Sequence, residues 1–207
     1  EGTMKSNYAR CLDIVLAYEG GFANHPDDPG GATMRGVTQR TYDAWRIGAG
    51  LATQSVRQIE EPELHAIYRD GYWNVVRGDD LPAGVDLAVF DYAVNSGPAR
   101  AAKELQRVVL ATMDGKIGPA TLAAVRARQP AEIIRPLCAG RLAFLEGLTT
   151  WATFGRGWKR RVVDVEASAL AMVAPAPLPP KPAPVAADPW WVRLLSFVLS
   201  LFGRKPA

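Results

Sequence analysis

Three carboxylates, of Glu19, Asp27 and Asp28, and the hydroxyl of Thr33 occur in the stretch from Glu19 to Thr33. Glu19 precedes two glycines, which are typical of a helix C-terminus, and Asp28 follows in a loop rich in Asp, Pro and Gly. An acid, a second carboxylate and a hydroxyl that can hold a water are the groups that hydrolyse a glycosidic bond. Alternatively, the aspartates of this loop only satisfy backbone N–H groups in an Asx-turn. The pattern alone leaves both interpretations open.

The residues before Glu19 predict an amphipathic helix. Apolar side chains recur at the spacing of one helix face, at Tyr8, Cys11, Leu12, Val15 and Leu16. A carboxylate in the last turn of a helix lies at the negative end of the helix dipole, which disfavours its charged form. We therefore expect Glu19 to lie in that last turn and to hold its proton readily, as a general acid requires.

Several motifs of the chain resemble those of glycoside hydrolase family 108. The first runs Glu-Gly-Gly-Phe-x-Asn-x-Pro-x-Asp-Pro-Gly-Gly-x-Thr from Glu19 to Thr33. The later motifs follow in order at Gly36–Thr38, Tyr72–Trp73, Phe90–Asp91, Val94–Gly97, Leu105–Gln106, Asp114–Thr121 and Gly157–Arg161. The resemblance therefore covers roughly residues 5–166.

Members of this family are N-acetylmuramidases of the lysozyme superfamily, found among phage endolysins and secretion-linked bacterial proteins. The resemblance implies a bacteriolytic peptidoglycan hydrolase that cleaves the β-1,4 bond between N-acetylmuramic acid and N-acetylglucosamine, with Glu19 as general acid and without metal or cofactor. Similarity to phage-type lysozymes implies that Asp28 and Thr33 take the other two catalytic roles, and favours inversion. Met34 and Arg35 stand where many members have an Asn. The alternative is a non-catalytic peptidoglycan-binding or secretion-assisting module on the same fold.

Four further residues are predicted to bind substrate, namely Tyr42, Trp73, Asn95 and Trp158. Asp91 and Asn95 are the polar exceptions in an apolar helix predicted from Val85 to Val94, and their spacing of four places them on one face. They form either an internal hydrogen-bond network or a cleft wall facing Glu19, and the resemblance favours the cleft for Asn95. Trp73 is alternatively a core residue, the commoner role of aromatics at helical spacing.

Periodicity predicts helices along the chain, and no segment alternates with period two. We therefore predict an all-α fold, which the resemblance makes lysozyme-like, with a small β-hairpin in the loop at 23–37. Pro62, Pro119 and Pro130 predict helix starts, Pro136 predicts a kink or break, and the last core helix is predicted from Val162 to Met172.

We divide the chain into a catalytic region at 4–97 and a helical region at 98–173 packed on it, which the resemblance implies binds peptidoglycan. Near its end, Arg160 and Arg161 are expected to be solvated, with contact to saccharide or stem peptide as the alternative. Cys11 and Cys138 are predicted to be buried thiols. Two cysteines and two histidines argue against a structural zinc site.

The net charge of +3 conceals an asymmetry, because residues 1–97 carry −6, residues 98–180 carry +6 and residues 181–207 carry +3. The basic second half either faces an anionic polymer such as peptidoglycan or attracts the first half. Residues 1–180 sum to zero, and no predicted helix interleaves basic and aromatic residues. We therefore predict no nucleic-acid binding.

The C-terminal part begins with a Pro- and Ala-rich linker at 174–189. Residues 190–203 then predict an amphipathic helix; the 13 residues from Trp190 to Phe202 would extend ~20 Å, less than the ~30 Å of a bilayer core. We expect this helix to lie on a membrane surface, with packing on its own domain or on a second copy as the alternative.

The N-terminus shows no secretory signal segment. We therefore expect synthesis in the cytoplasm, action on the cell wall after release or export, and association with the inner membrane through residues 190–203. We expect the protein to be a monomer.

Overall fold

The computed structural model describes residues 7–24 and 31–173. These residues form α1 (Tyr8–Leu16), α2 (Gln39–Gly48), α3 (Glu61–Tyr68), α4 (Val85–Ser96), α5 (Pro98–Val109), α6 (Pro119–Arg126), α7 (Pro130–Glu146) and α8 (Trp151–Val173). They also form three two-residue strands, β1 (Phe22–Ala23), β2 (Thr33–Met34) and β3 (Val37–Thr38). The predicted all-α, lysozyme-like fold is confirmed. The predictions for Asp28 and for residues 174–189 and 190–203 lie outside the described residues.

The three strands form a small antiparallel sheet in the order β1-β2-β3. A two-residue turn, Arg35-Gly36, joins β2 to β3, and both turn residues have positive φ, of 48° and 79°. This is the type I′ geometry that suits the twist of a tight hairpin. The predicted hairpin is therefore present, and β1 extends it to the residues that follow Glu19.

Helix α4 lies at the centre of the core. Every side chain from Val85 to Ala93 is buried, as its apolar pattern on all sides predicts. The helix packs against α1, α5, α7 and α8. Because α1 precedes α4 and the other three helices follow it, both halves of the sequence contribute to one core.

Three predicted helix features need correction. Helix α1 ends at Leu16, so Glu19 follows the helix, in a turn where its N–H donates to the Leu16 carbonyl at 3.2 Å. Helix α8 begins at Trp151 rather than at Val162. Of the kink or break predicted at Pro136, the break is absent, because α7 continues through this residue and buried neighbours hold the helix on both sides of the missing N–H, at Ile133, Ile134 and Leu137.

The two cysteines, Cys11 and Cys138, are free and buried, as predicted. Burial raises the pKa of the Cys138 thiol to about 12 and also raises the pKa of Cys11. Both thiols are therefore protonated near neutral pH. Within residues 7–24 and 31–173, no helix is long and apolar enough to cross a bilayer.

Candidate active site

Glu19 lies where the end of α1, the β2–β3 turn and α8 meet. Its Oε1 accepts a hydrogen bond from Arg161 Nη1 at 2.9 Å, and its side chain is 18% exposed. On the other side, the Gly36 backbone comes so close that a Cβ there would lie 2.8 Å from Oε2. Glycine is required at this turn by that contact and by its positive φ. The hairpin turn and α8 thus hold the carboxylate from two sides.

Two tyrosines complete the surroundings of Glu19. Tyr68 ends α3, is buried, and donates its hydroxyl to the Arg35 carbonyl at 2.8 Å. Its ring centroid lies 5.6 Å from that of Tyr72. Burial raises the pKa of both phenols, and the negative charge of Glu19 raises it further. Both tyrosines are therefore neutral hydrogen-bond donors near neutral pH.

Arg161 belongs to a buried ion network. It is 7% exposed, and its Nε donates to Asp91 Oδ1 at 2.9 Å. The other oxygen of Asp91 accepts from Arg141 Nη1, and both of these side chains are almost fully buried. The prediction that Arg161 is solvated was wrong, because two carboxylates draw it inside. Asp91 takes the internal-network role rather than that of a cleft wall.

A cleft of about 490 Å³ opens beside Arg161. We call it the α8 cleft, and it is lined by Ala17, Tyr18, Asn95, Phe154, Gly157, Trp158, Arg160 and Arg161. Two of the predicted substrate-binding residues, Asn95 and Trp158, therefore line one cleft. Asn95 is half-buried at the end of α4, where its Oδ1 accepts from the Ser96 hydroxyl at 3.1 Å.

The α8 wall of this cleft is aromatic. The Trp158 ring lies 5.6 Å from that of Phe154 and 6.3 Å from that of Trp151. Trp151 lies across Gly155, where a Cβ would come within 2.5 Å of the indole. Phe154 is 53% exposed. Flat, exposed aromatic rings provide apolar surface that a sugar ring can stack on.

The other two predicted substrate-binding residues, Tyr42 and Trp73, are in the core. Both have 0% exposure, so their assignment to substrate binding was wrong. The Tyr42 hydroxyl donates to Glu63 at 2.5 Å, and Trp73 packs edge-on against Tyr8 and Phe90 at 5.3 Å between centroids. Aromatics at helical spacing bury their large apolar area in the core, which here takes precedence over substrate contact.

Thr33 lies on the sheet that contacts Glu19. It is half-buried in β2, three residues before Gly36, and its hydroxyl donates to the Gly31 carbonyl at 3.4 Å. Asp28, the other predicted catalytic residue, lies outside the described residues. Among residues 7–24 and 31–173, no cluster of His, Cys, Asp and Glu has the arrangement to hold a metal ion.

The chain matches two family models, one described as Glycosyl hydrolase 108 over residues 12–97 and one described as Predicted Peptidoglycan domain over residues 100–163. Among solved structures it is similar to SagA of Brucella abortus, with 48% identity, a TM-score of 0.73, and coverage of 84% of this chain and 99% of that chain. A comparison with curated proteins found no match. The chain therefore belongs to glycosyl hydrolase family 108 and is a glycoside hydrolase that acts on peptidoglycan.

Proposed function

We propose that the protein is an N-acetylmuramidase that hydrolyses the β-1,4 bond between N-acetylmuramic acid and N-acetylglucosamine, with Glu19 as general acid. The observation that carries the proposal is the position of Glu19. Its carboxylate is mostly buried and is fixed by Arg161, which also lines the aromatic α8 cleft. A glycosidase requires a carboxyl group fixed beside a groove that holds the glycan.

In the proposed reaction Glu19 donates its proton to the glycosidic oxygen as the bond to the anomeric carbon breaks. Positive charge develops on the sugar ring, and negative charge develops on Glu19. Asp28 stabilises the positive charge or, together with the Thr33 hydroxyl, positions the attacking water. We propose inversion, in which the water attacks the opposite face of the ring and passes its proton to the carboxylate of Asp28. That geometry requires the two carboxyl groups to stand about 6.5–9.5 Å apart.

We propose that the α8 cleft binds the glycan. The half-buried ring of Trp158 and the exposed ring of Phe154 together offer apolar surface to one side of a sugar. The side-chain amide of Asn95 suits the acetamido and hydroxyl groups that both sugars of the glycan carry. The second candidate function, binding without turnover, would use the same cleft but would not require Glu19.

We also propose that the enzyme acts on the cell wall after release or export from the cytoplasm, and that residues 190–203 bind a membrane surface. The sequence of those residues supports the second part, since paired tryptophans and basic residues flank an apolar stretch. Deletion of residues 189–207 is expected to reduce co-sedimentation with liposomes of anionic lipid. Unchanged co-sedimentation would contradict the proposal that residues 190–203 bind a membrane surface.

The test of the main proposal is hydrolysis of purified peptidoglycan, with new reducing ends identified by mass spectrometry. The full chain is expected to release ends at N-acetylmuramic acid, and Glu19→Gln to lose about 10²–10⁴-fold of the rate. Glu146→Gln, which changes an exposed glutamate at the end of α7, is the matched control and is expected to keep full activity.

Three results would contradict the proposal in different ways. Reducing ends at N-acetylglucosamine would overturn the assigned bond. Full activity of Glu19→Gln would overturn the assigned acid. No new ends from either protein, with binding to the wall intact, would favour the non-catalytic binding module.

A further inference from the structure

We infer that Arg161 is the positioning residue for Glu19, so that the region matched as a peptidoglycan domain supplies part of the reacting centre. The inference rests on the proposed role of Glu19 as the acid. Glu19 lies within residues 12–97, which match the hydrolase model, whereas Arg161 lies within residues 100–163. The two side chains are 142 positions apart in the sequence and 2.9 Å apart in the structure.

Arg161 is held in a single orientation. Its Nε donates to Asp91 Oδ1 at 2.9 Å, and Arg141 fixes the other oxygen of Asp91. The centre of its guanidinium also lies 5.3 Å from the centroid of the Tyr18 ring. Because a guanidinium is planar and rigid, fixing one edge fixes the direction in which Nη1 points at Glu19. With Gly36 on the opposite side of the carboxylate, Glu19 is left little freedom to rotate.

The charges of the network show that Arg161 is not needed for Asp91 alone. Arg141 is 1% exposed and already pairs with Asp91. A second buried arginine beside the same carboxylate leaves one excess positive charge, which is costly in a protein interior. Glu19 supplies the balancing negative charge. Arg161 also lines the α8 cleft, whereas Arg141 does not.

The same arrangement suits the proton transfer. When Glu19 is protonated and ready to act, Arg161 remains paired with Asp91 and keeps its place. When Glu19 passes its proton to the glycosidic oxygen, the carboxylate that forms lies in hydrogen-bond range of Nη1. A fixed donor aimed at charge that develops in the transition state lowers the barrier more than it strengthens substrate binding. We therefore expect Arg161 to act on kcat more than on KM.

The experiment compares Arg161→Lys and Arg161→Gly with the full chain, using soluble glycan fragments of peptidoglycan. Arg161→Lys keeps the charge but loses the fork, and kcat is expected to fall about 10–100-fold with KM changed less than about threefold. The kcat of Arg161→Gly is expected to fall further and to recover in part when millimolar guanidinium is added. Arg156→Lys and Arg156→Gly, at an exposed position of the same helix outside the cleft, are expected to keep kcat and to show no guanidinium effect.

A double variant tests the coupling. If Arg161 acts through Glu19, then Arg161→Lys adds no further loss to Glu19→Gln, and this result would support the inference even if Arg161→Gly fails to fold. Wild-type kcat in Arg161→Lys, or losses that multiply in the double variant, would overturn it. In those cases Glu19→Gln would still have a rate far below that of the full chain, so the proposed function would stand. An inactive full chain would instead overturn the proposed function, and with it the inference.

Discussion

Two clefts of similar volume in the described part of the chain are built in opposite ways. The α8 cleft, of about 490 Å³, combines residues from the end of α1, the end of α4 and α8. The second, which we call the α5–α6 cleft, has about 510 Å³ and is lined only by residues between Gln106 and Ala124. One cleft is assembled by the tertiary fold, and the other by one continuous stretch of chain. The α5–α6 cleft therefore depends on interactions between neighbouring residues, whereas the α8 cleft forms only when the whole core has packed.

The α5–α6 cleft is organised by one buried glutamine. The Gln106 Nε2 donates to Asp114 Oδ1 at 2.7 Å and to the Lys116 carbonyl at 3.0 Å, and its Oε1 accepts from the Gly115 N–H at 2.9 Å. Hydrogen bonds between this one side chain of α5 and the loop at 114–116 hold this cleft. The α8 cleft instead adjoins a network of two arginines and two carboxylates that ties together four helices or their ends. A charge network of that kind suits proton transfer, because a fixed arginine stabilises the negative charge that a carboxyl group gains when it gives up its proton. The hydrogen bonds of Gln106 instead fix the conformation of a turn.

The sharpest test of this comparison is Gln106→Ala. We expect it to lower the free energy of unfolding by about 2–4 kcal/mol, because it removes a buried side chain together with its hydrogen bonds to the loop. We expect kcat per folded molecule to be unchanged, because among the described residues no hydrogen bond of Gln106 leads to Glu19 or Arg161. Urea unfolding and peptidoglycan hydrolysis measure the two quantities.

The control for this variant is Gln58→Ala, at an exposed position, which is expected to change stability by less than about 0.5 kcal/mol. If kcat of Gln106→Ala falls by more than the loss of folded protein explains, the two clefts are not independent. That result would mean that the two clefts are coupled through α5.

The next effect in size concerns the aromatic wall of the α8 cleft. Phe154→Ala removes an exposed ring that lies 5.6 Å from Trp158, and we expect KM for soluble glycan fragments to rise about tenfold, or about 1.4 kcal/mol, with kcat nearly unchanged. Leu110→Ala, which removes an exposed apolar side chain from the other cleft, is the matched control. An equal rise in KM for both variants would show that the glycan occupies both clefts.

The same contrast explains which features could be predicted from the sequence. The turn at Asp114-Gly115 and the start of α6 at Pro119 depend on neighbouring residues, so their residue types predict them. The hairpin at Arg35-Gly36 and the apolar face of α1 are local in the same sense. The role of Glu19 as the acid rests on its motif and stays a prediction, whereas its place after α1 depends on a short-range turn.

The features that could not be predicted depend on contacts across the core between residues that are far apart in the sequence. No local pattern indicates that Arg161 reaches Glu19, because a basic residue in a run of charges is usually solvated. Its only signal was Asp91, because a carboxylate in a buried-type helix requires a partner, whose position the sequence does not indicate. Tyr42 and Trp73 show the reverse error. Their aromatic types suit both a sugar platform and a core, and only the packed structure distinguishes the two.

The smallest expected effect is local to the α5–α6 cleft and concerns Leu110. This residue ends α5 in the left-handed conformation, at φ 60°, and is 83% exposed. This conformation costs a residue with a Cβ about 1–2 kcal/mol, and little burial offsets that cost. We expect Leu110→Gly to raise the free energy of unfolding by about 0.5–1 kcal/mol, because glycine adopts positive φ freely and its greater freedom in the unfolded chain cancels part of the gain.

Lys103→Gly, at an exposed position inside the same helix, is expected to lower stability by about 1 kcal/mol. If urea unfolding shows Leu110→Gly to be destabilising, the Leu110 side chain makes contacts in this cleft that outweigh its backbone strain. The cleft is then held by the Leu110 side chain as well as by the hydrogen bonds of Gln106.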